Sequence, residues 1–200
     1  MESIFLDSNV IANWILIKDS TKKFEDLKNE KILKQRLKNI SYSYTLIEAL
    51  LTDEYRVKTS SLTLAEVSYV LYNEMLSLKM YGLGVPLTLW PKLRERHDLT
   101  REEKSSVREI IARYLKEFKK GVNIVNDTID DMIYPKLILE YKLRTHDAVL
   151  LTTAILNKCS WFITNDKELV ELNKGRRGSK FSNIFGIVPD LPQNFLRVVR

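Results

Sequence analysis

Apolar residues fall along this chain in two alternating rhythms: short unbroken runs and repeats at helical spacing. Ser3–Leu6 is a short run that stops at Asp7. Beyond it Val10, Ile11, Trp14, Ile15 and Ile17 recur at near-helical intervals. A charged amphipathic helix is expected over 22–38, with Phe24, Leu27, Ile32, Leu33 and Leu37 facing inward, and another over 44–52. Arg56–Ser60 reads as a second strand. The helix after it, about 64–80, puts Val67, Val70, Leu71, Met75 and Leu78 on one face.

Residues 82–99 interrupt the rhythm, with Gly82, Gly84, Pro86 and Pro91 around an apolar Leu87–Trp90, and predict an excursion rather than a domain boundary. Thr100 and Glu103 have capping-box spacing for a helix to about Lys119. Val122–Val125 predicts a strand, Asp127 the N-cap of a helix ending near Arg144, and Thr145 the cap of a helix through about Asn157. Trp161–Thr164 predicts a buried strand with a short helix after Asp166. The glycine-containing 174–180 stretch predicts a basic loop, and Phe195–Val199 a last strand. Strands alternating with helices indicate an α/β fold, a mainly parallel sheet covered on both faces. One domain over 1–200 is expected, with a helical insertion around 82–119.

Charge changes the picture more than composition does. The 200 residues are 44% hydrophobic and 29% charged, ordinary for a globular chain. The net charge is +6, so any site that gathers acids leaves a still more basic exterior, suited to a polyanion. Cys159 is the only cysteine, which rules out an intrachain disulfide and fits a reducing cytoplasm. Asp7, Asn9 and Asn13 interrupt the apolar N-terminus, arguing against a secretory leader. No run nears the roughly 20 apolar residues of a membrane span.

Four acids stand beside strand ends or helix starts: Asp7 in IFLDSNV, Glu66 in SSLTLAEV, Asp147 in LRTHDAVLLTTA and Asp166 in WFITNDKEL. In a parallel sheet these positions share the edge where ligands collect. Brought together, one carboxylate pair at about 5 Å and an effective dielectric of about 20 costs roughly 3 kcal/mol, a penalty a divalent cation removes. Oxygen-only donors suit Mg²⁺ or Mn²⁺.

The four segments LDSNV, LTLAEV, HDAVLLTTA and FITND, in this order, resemble the PIN-domain nucleases, including the VapC-like toxin ribonucleases. The resemblance spans nearly the whole chain. It implies a three-layer α/β/α domain and Mg²⁺- or Mn²⁺-dependent cleavage of RNA. It makes Asp7, Glu66, Asp147 and Asp166 the metal-site and catalytic acids, with Asn9 and Thr164 or Asn165 as polar supporters. A small hydroxyl residue is usual at the place of Ser8. A cognate antitoxin and a homodimer are the partners it implies. A housekeeping RNA-processing nuclease and a non-catalytic RNA- or protein-binding module on the same fold stay open.

Each acid also has a local explanation. Thr63 and Glu66 have capping-box spacing, Asp147 complements a helix dipole, Asp166 can cap a helix, and Asp7 can close a turn. Glu48 in LIEALL is a second candidate for the role of Glu66, which is placed first because it follows the Arg56–Ser60 strand closely. His146 adjoins Asp147 but, as a helical neighbour, is expected in packing or capping. For Lys174, Arg176, Arg177 and Lys180, phosphate contact and simple solvation are equally open.

Overall fold

The computed structural model describes residues 2–20, 31–52, 55–174 and 181–198. Strand β1 (Ser3–Leu6) runs into helix α1 (Ser8–Ser20), and α2 (Lys31–Thr52) leads to β2 (Arg56–Ser60). Helix α3 (Ser61–Gly82) follows directly, then 3₁₀ turns flanking the single-turn α4 (Trp90–Leu93), and α5 (Arg101–Phe118). Next come β3 (Asn123–Val125), α6 (Ile133–Leu139), α7 (Thr145–Leu156) and β4 (Trp161–Ile163). The chain closes with α8 (Lys167–Glu171), a helix α9 over 181–185, β5 (Val188–Asp190) and α10 (Pro192–Val198).

The five strands lie in the order β3-β2-β1-β4-β5, every pairing parallel. Side-chain alternation along the central strands divides the core in two. Ile4, Leu6, Val57 and Ile163 join Val10, Ile11, Trp14, Leu46, Val67 and Phe118 in one buried cluster. Phe5 and Phe162 point the other way, with Leu137, Leu150, Leu151, Leu169 and Phe181. Phe5 and Phe162 are register partners, so their rings stack at 5.4 Å and 8°. Helices on both faces of a parallel sheet make the expected three-layer α/β/α arrangement. Each fully buried large side chain stabilises it by about 1.5–3 kcal/mol. A third cluster, Leu76, Met80, Leu99 and Val107, joins the far half of α3 to α5.

The capping box is present: Thr100 Oγ1 accepts from the Glu103 amide, and Glu103 accepts from the Thr100 amide. Other local expectations need correction. Helix α2 runs unbroken from 31 to 52, through the break expected between 38 and 44; residues 22–30 of the expected earlier helix lie outside the described residues. Asp127 caps no helix of its own. Its Oδ2 accepts from the Leu62 amide at 2.9 Å, across the sheet edge, and Asp130 caps α6 instead. The N-cap position of α7 is Arg144 rather than Thr145 and carries no side-chain cap. Phe195–Val199 was expected as a strand, but Pro192–Val198 is helix α10. Asp190 accepts from Leu191 N and Asn194 Nδ2, and Pro192 pre-sets the first helical φ. Strand β5 is formed upstream by Val188–Asp190.

Candidate active site

The chain winds outward from β1 to β2 and β3, returns to β4, and winds outward again to β5. The carboxyl ends of β1 and β4 therefore flank a topological switch point, the crevice where such sheets bind ligands. Asp7 follows β1 there, and Thr164, Asn165 and Asp166 follow β4.

Asp7 is anchored at the centre. Its amide donates to Ile163 O at 3.0 Å, carrying the β1–β4 ladder one residue further. Oδ1 accepts from Ser8 N at 2.6 Å and Ser8 Oγ at 3.3 Å; Oδ2 accepts from Asn9 Nδ2 at 2.8 Å and Thr164 Oγ1 at 2.6 Å. Burial raises its pKa against the pull of the Thr164 and Ser8 hydrogen bonds, and the charge of Asp166 adds to the rise.

Glu66 reaches the same place from α3. The helix start is capped by Ser60, whose Oγ accepts from the Thr63 amide, and by Asp127 on the Leu62 amide. Glu66 is not the capping-box glutamate that its spacing from Thr63 allowed. It is half-buried; burial raises its pKa, the charges of Asp7 and Asp147 raise it further, and His146 and a Ser8 hydrogen bond oppose them. The single Ser8 hydroxyl proton thus stands between two carboxylates, Asp7 and Glu66. Glu48 faces elsewhere. Its Oε1 accepts from Trp14 Nε1 at 2.7 Å and Lys18 Nζ at 3.1 Å, bracing α1 against α2.

Asp147, in the first turn of α7, has a side chain only 14% exposed. Burial, with the charges of Asp7 and Asp166, pushes its pKa up to about 6, although His146 Nε2 lies 3.1 Å from Oδ1 and pulls the other way. Asp166 caps α8, its Oδ1 accepting from Glu168 N at 2.8 Å, while its amide donates to Thr164 Oγ1 at 2.9 Å. The four acids expected from the sequence therefore share one electrostatic neighbourhood. The three polar residues named from the sequence lie beside Asp7: Asn9 and Thr164 both donate to it, and the Asn165 amide donates to Asn9 Oδ1 at 2.9 Å.

The sequence pattern of the PIN domain matches residues 4–175. The chain belongs to the PIN domain family. An uncharacterised protein of Archaeoglobus fulgidus is 34% identical to this PIN domain over 102 residues, half of this chain and 84% of the relative. PIN domains are typically metal-dependent nucleases acting on RNA.

For a divalent cation the donor chemistry of this PIN domain fits: carboxylate oxygens of Asp7, Glu66 and Asp147, whose proton affinities are raised by burial and by neighbouring negative charge. The arrangement is not a closed cage. Among the described residues, no three Asp, Glu, His or Cys side chains are grouped to hold a metal ion. Lys174 pairs with Glu171 on the solvent side at 2.5 Å, and Arg176, Arg177 and Lys180 lie outside the described residues. No described helix is long and apolar enough to cross a membrane. Ser43 was not expected at the site; its Oγ accepts from Asn165 Nδ2 at 3.0 Å. The signal was present: a serine on the apolar stripe of Leu46, Ile47 and Leu50 needs a buried partner.

Proposed function

We propose that this PIN domain is a metal-dependent endoribonuclease, hydrolysing RNA phosphodiester bonds in the cytoplasm with Mg²⁺ or Mn²⁺. What supports the proposal is that Asp7, Glu66 and Asp147 are partly or wholly buried within reach of one another's charge beside the switch point, with the charge of Asp166 acting on Asp7 and Asp147. These four side chains would hold the cation. A bound hard cation supplies positive charge that polarises a phosphate and lowers the pKa of attacking water.

The chain's own groups do the remaining work. Asn9 and Thr164 fix Oδ2 of Asp7, so the carboxylate keeps one orientation. Ser8 Oγ donates to Asp7 Oδ1, and hydrogen bonding by Ser8 also favours the charged form of Glu66. His146, 48% exposed, lies with Nε2 3.1 Å from Oδ1 of Asp147 and opposes the charges of Asp7 and Asp166 there. Lys174, Arg176, Arg177 and Lys180 meet the RNA backbone in this proposal, and 82–119 is an insertion on one domain.

A toxin that works as a homodimer under a cognate antitoxin is the finer form of the proposal. An RNA-processing nuclease is its alternative, and growth arrest on expression separates them. The ungrouped acids favour a second reading, a non-catalytic RNA- or protein-binding module on the same fold. The deciding experiment incubates the purified chain with total RNA in Mg²⁺, Mn²⁺ or EDTA. Cleavage with metal that EDTA abolishes supports the nuclease; RNA left intact in both metals leaves the binding module.

A further inference from the structure

We propose that Ser43 is a positioning residue of the acidic site, acting from the helical layer on the turn that carries Asp166. The proposal deepens the nuclease reading and rests on it for its kinetic part.

Ser43 lies fully buried in the middle of α2. A hydroxyl there is costly unless it is hydrogen-bonded. Its partner is Asn165 Nδ2 at 3.0 Å, 122 residues further along the chain. Asn165 is the middle residue of the turn that leaves β4. Its amide donates to Asn9 Oδ1, and Asn9 Nδ2 donates to Asp7 Oδ2. On either side, Thr164 Oγ1 donates to Asp7 Oδ2 and accepts from the Asp166 amide.

The turn is thus tied to Asp7 through Thr164, to the β1–α1 junction through Asn9, and to α2 through Ser43. The first two ties hold the turn to the sheet. The third holds the side chain of Asn165, the residue immediately before Asp166. Removing the Ser43 hydroxyl leaves a half-buried amide donor without its acceptor, which favours rotation of Asn165 and loosening of the turn. Ser43 touches neither substrate nor cation; it acts through Asn165.

The test compares Ser43→Ala, Asn165→Ala, the double variant and Ser43→Thr, which restores the hydroxyl. In metal-free protein, amide hydrogen exchange is followed at Asn165 and Asp166. With RNA and saturating Mn²⁺, kcat and KM are measured. Ser43→Ala is expected to speed exchange at both amides and to lower kcat about tenfold with KM unchanged. The double variant should lose no more than Asn165→Ala alone, and Ser43→Thr should behave like the parent. Unchanged exchange at Asn165 and Asp166, or losses that multiply in the double variant, overturns the assignment. Should the parent cleave no RNA, the nuclease proposal falls, and the exchange comparison still decides Ser43. Should Ser43→Thr fail to fold, the Ser43–Asn165 double-variant comparison decides it.

Discussion

Removing the negative charge of Asp147 should make the metal-free protein more stable while abolishing its chemistry. The carboxyl is raised from an ordinary 3.8 to about 6, with a side chain only 14% exposed, so solvent does little to screen its neighbours. At about 1.4 kcal/mol per pH unit, that rise sets a ceiling of about 3 kcal/mol on the destabilisation. Asp7 and Asp166 share the repulsion, and an asparagine weakens the contact with His146, so about 1–2 kcal/mol is the expected gain.

The direction follows from proton linkage. The folded chain binds this proton more tightly than the unfolded chain does. The cost is therefore absent below about pH 3.8, grows as pH rises toward 6, and is complete above it. Urea unfolding of Asp147→Asn and parent in EDTA, from pH 4 to pH 8, measures it. The variant should be the more stable at pH 8, and the two should converge near pH 4. A divalent cation should narrow the gap by stabilising the parent. Equal stabilities across the whole range would refute the argument that burial and, second to it, the charges of Asp7 and Asp166 destabilise this carboxylate, and with it the reason for a cation to bind here.

Three further outcomes follow from the same geometry. Glu66→Gln should abolish metal-dependent cleavage, whereas Glu48→Gln should leave it intact and cost about 1 kcal/mol through Trp14 and Lys18; equal activities in RNA cleavage assays would remove Glu66 from the site. Thr152 Oγ1 is buried without a hydrogen-bond partner among the described residues, so Thr152→Val should be neutral or stabilising by about 1 kcal/mol in thermal unfolding. A clear loss would mean that the hydroxyl is satisfied. Arg176→Ala with Arg177→Ala should weaken RNA binding most at low salt, and identical affinities across a salt series would reject phosphate contact.

Strands β1 and β4 were legible because each is a short apolar run closed by a polar residue, and a buried parallel strand has little else to show. Strand β1 was legible in full as Ser3–Leu6, and β2 as Arg56–Ser60. The capping box of α5 was legible because both of its partners lie within one turn. The tail misled because Phe195 and Val198 have strand-like chemistry, while the helix start is set by Asp190 and Pro192 several residues earlier. Asp127 misled for the opposite reason: its capped amide is 65 residues away. The acids were visible as motifs since each sits next to its own strand or helix. Closeness to the Arg56–Ser60 strand placed Glu66 ahead of Glu48 in the sequence, but only the positions of Trp14 and Lys18 show where Glu48 is engaged. Ser43 escaped for the same reason as Asp127, its bond being fixed by how layers stack.

The anchoring of Asp7 has a practical consequence for anyone choosing an inactive control. Its amide belongs to the sheet, and four donors point at its carboxylate from Ser8, Asn9 and Thr164. An alanine at that position strips several buried groups of their acceptor at once, so a dead allele there reports collapse as readily as lost chemistry. Position 147, on a helix beside solvent-facing His146, offers the cleaner knockout.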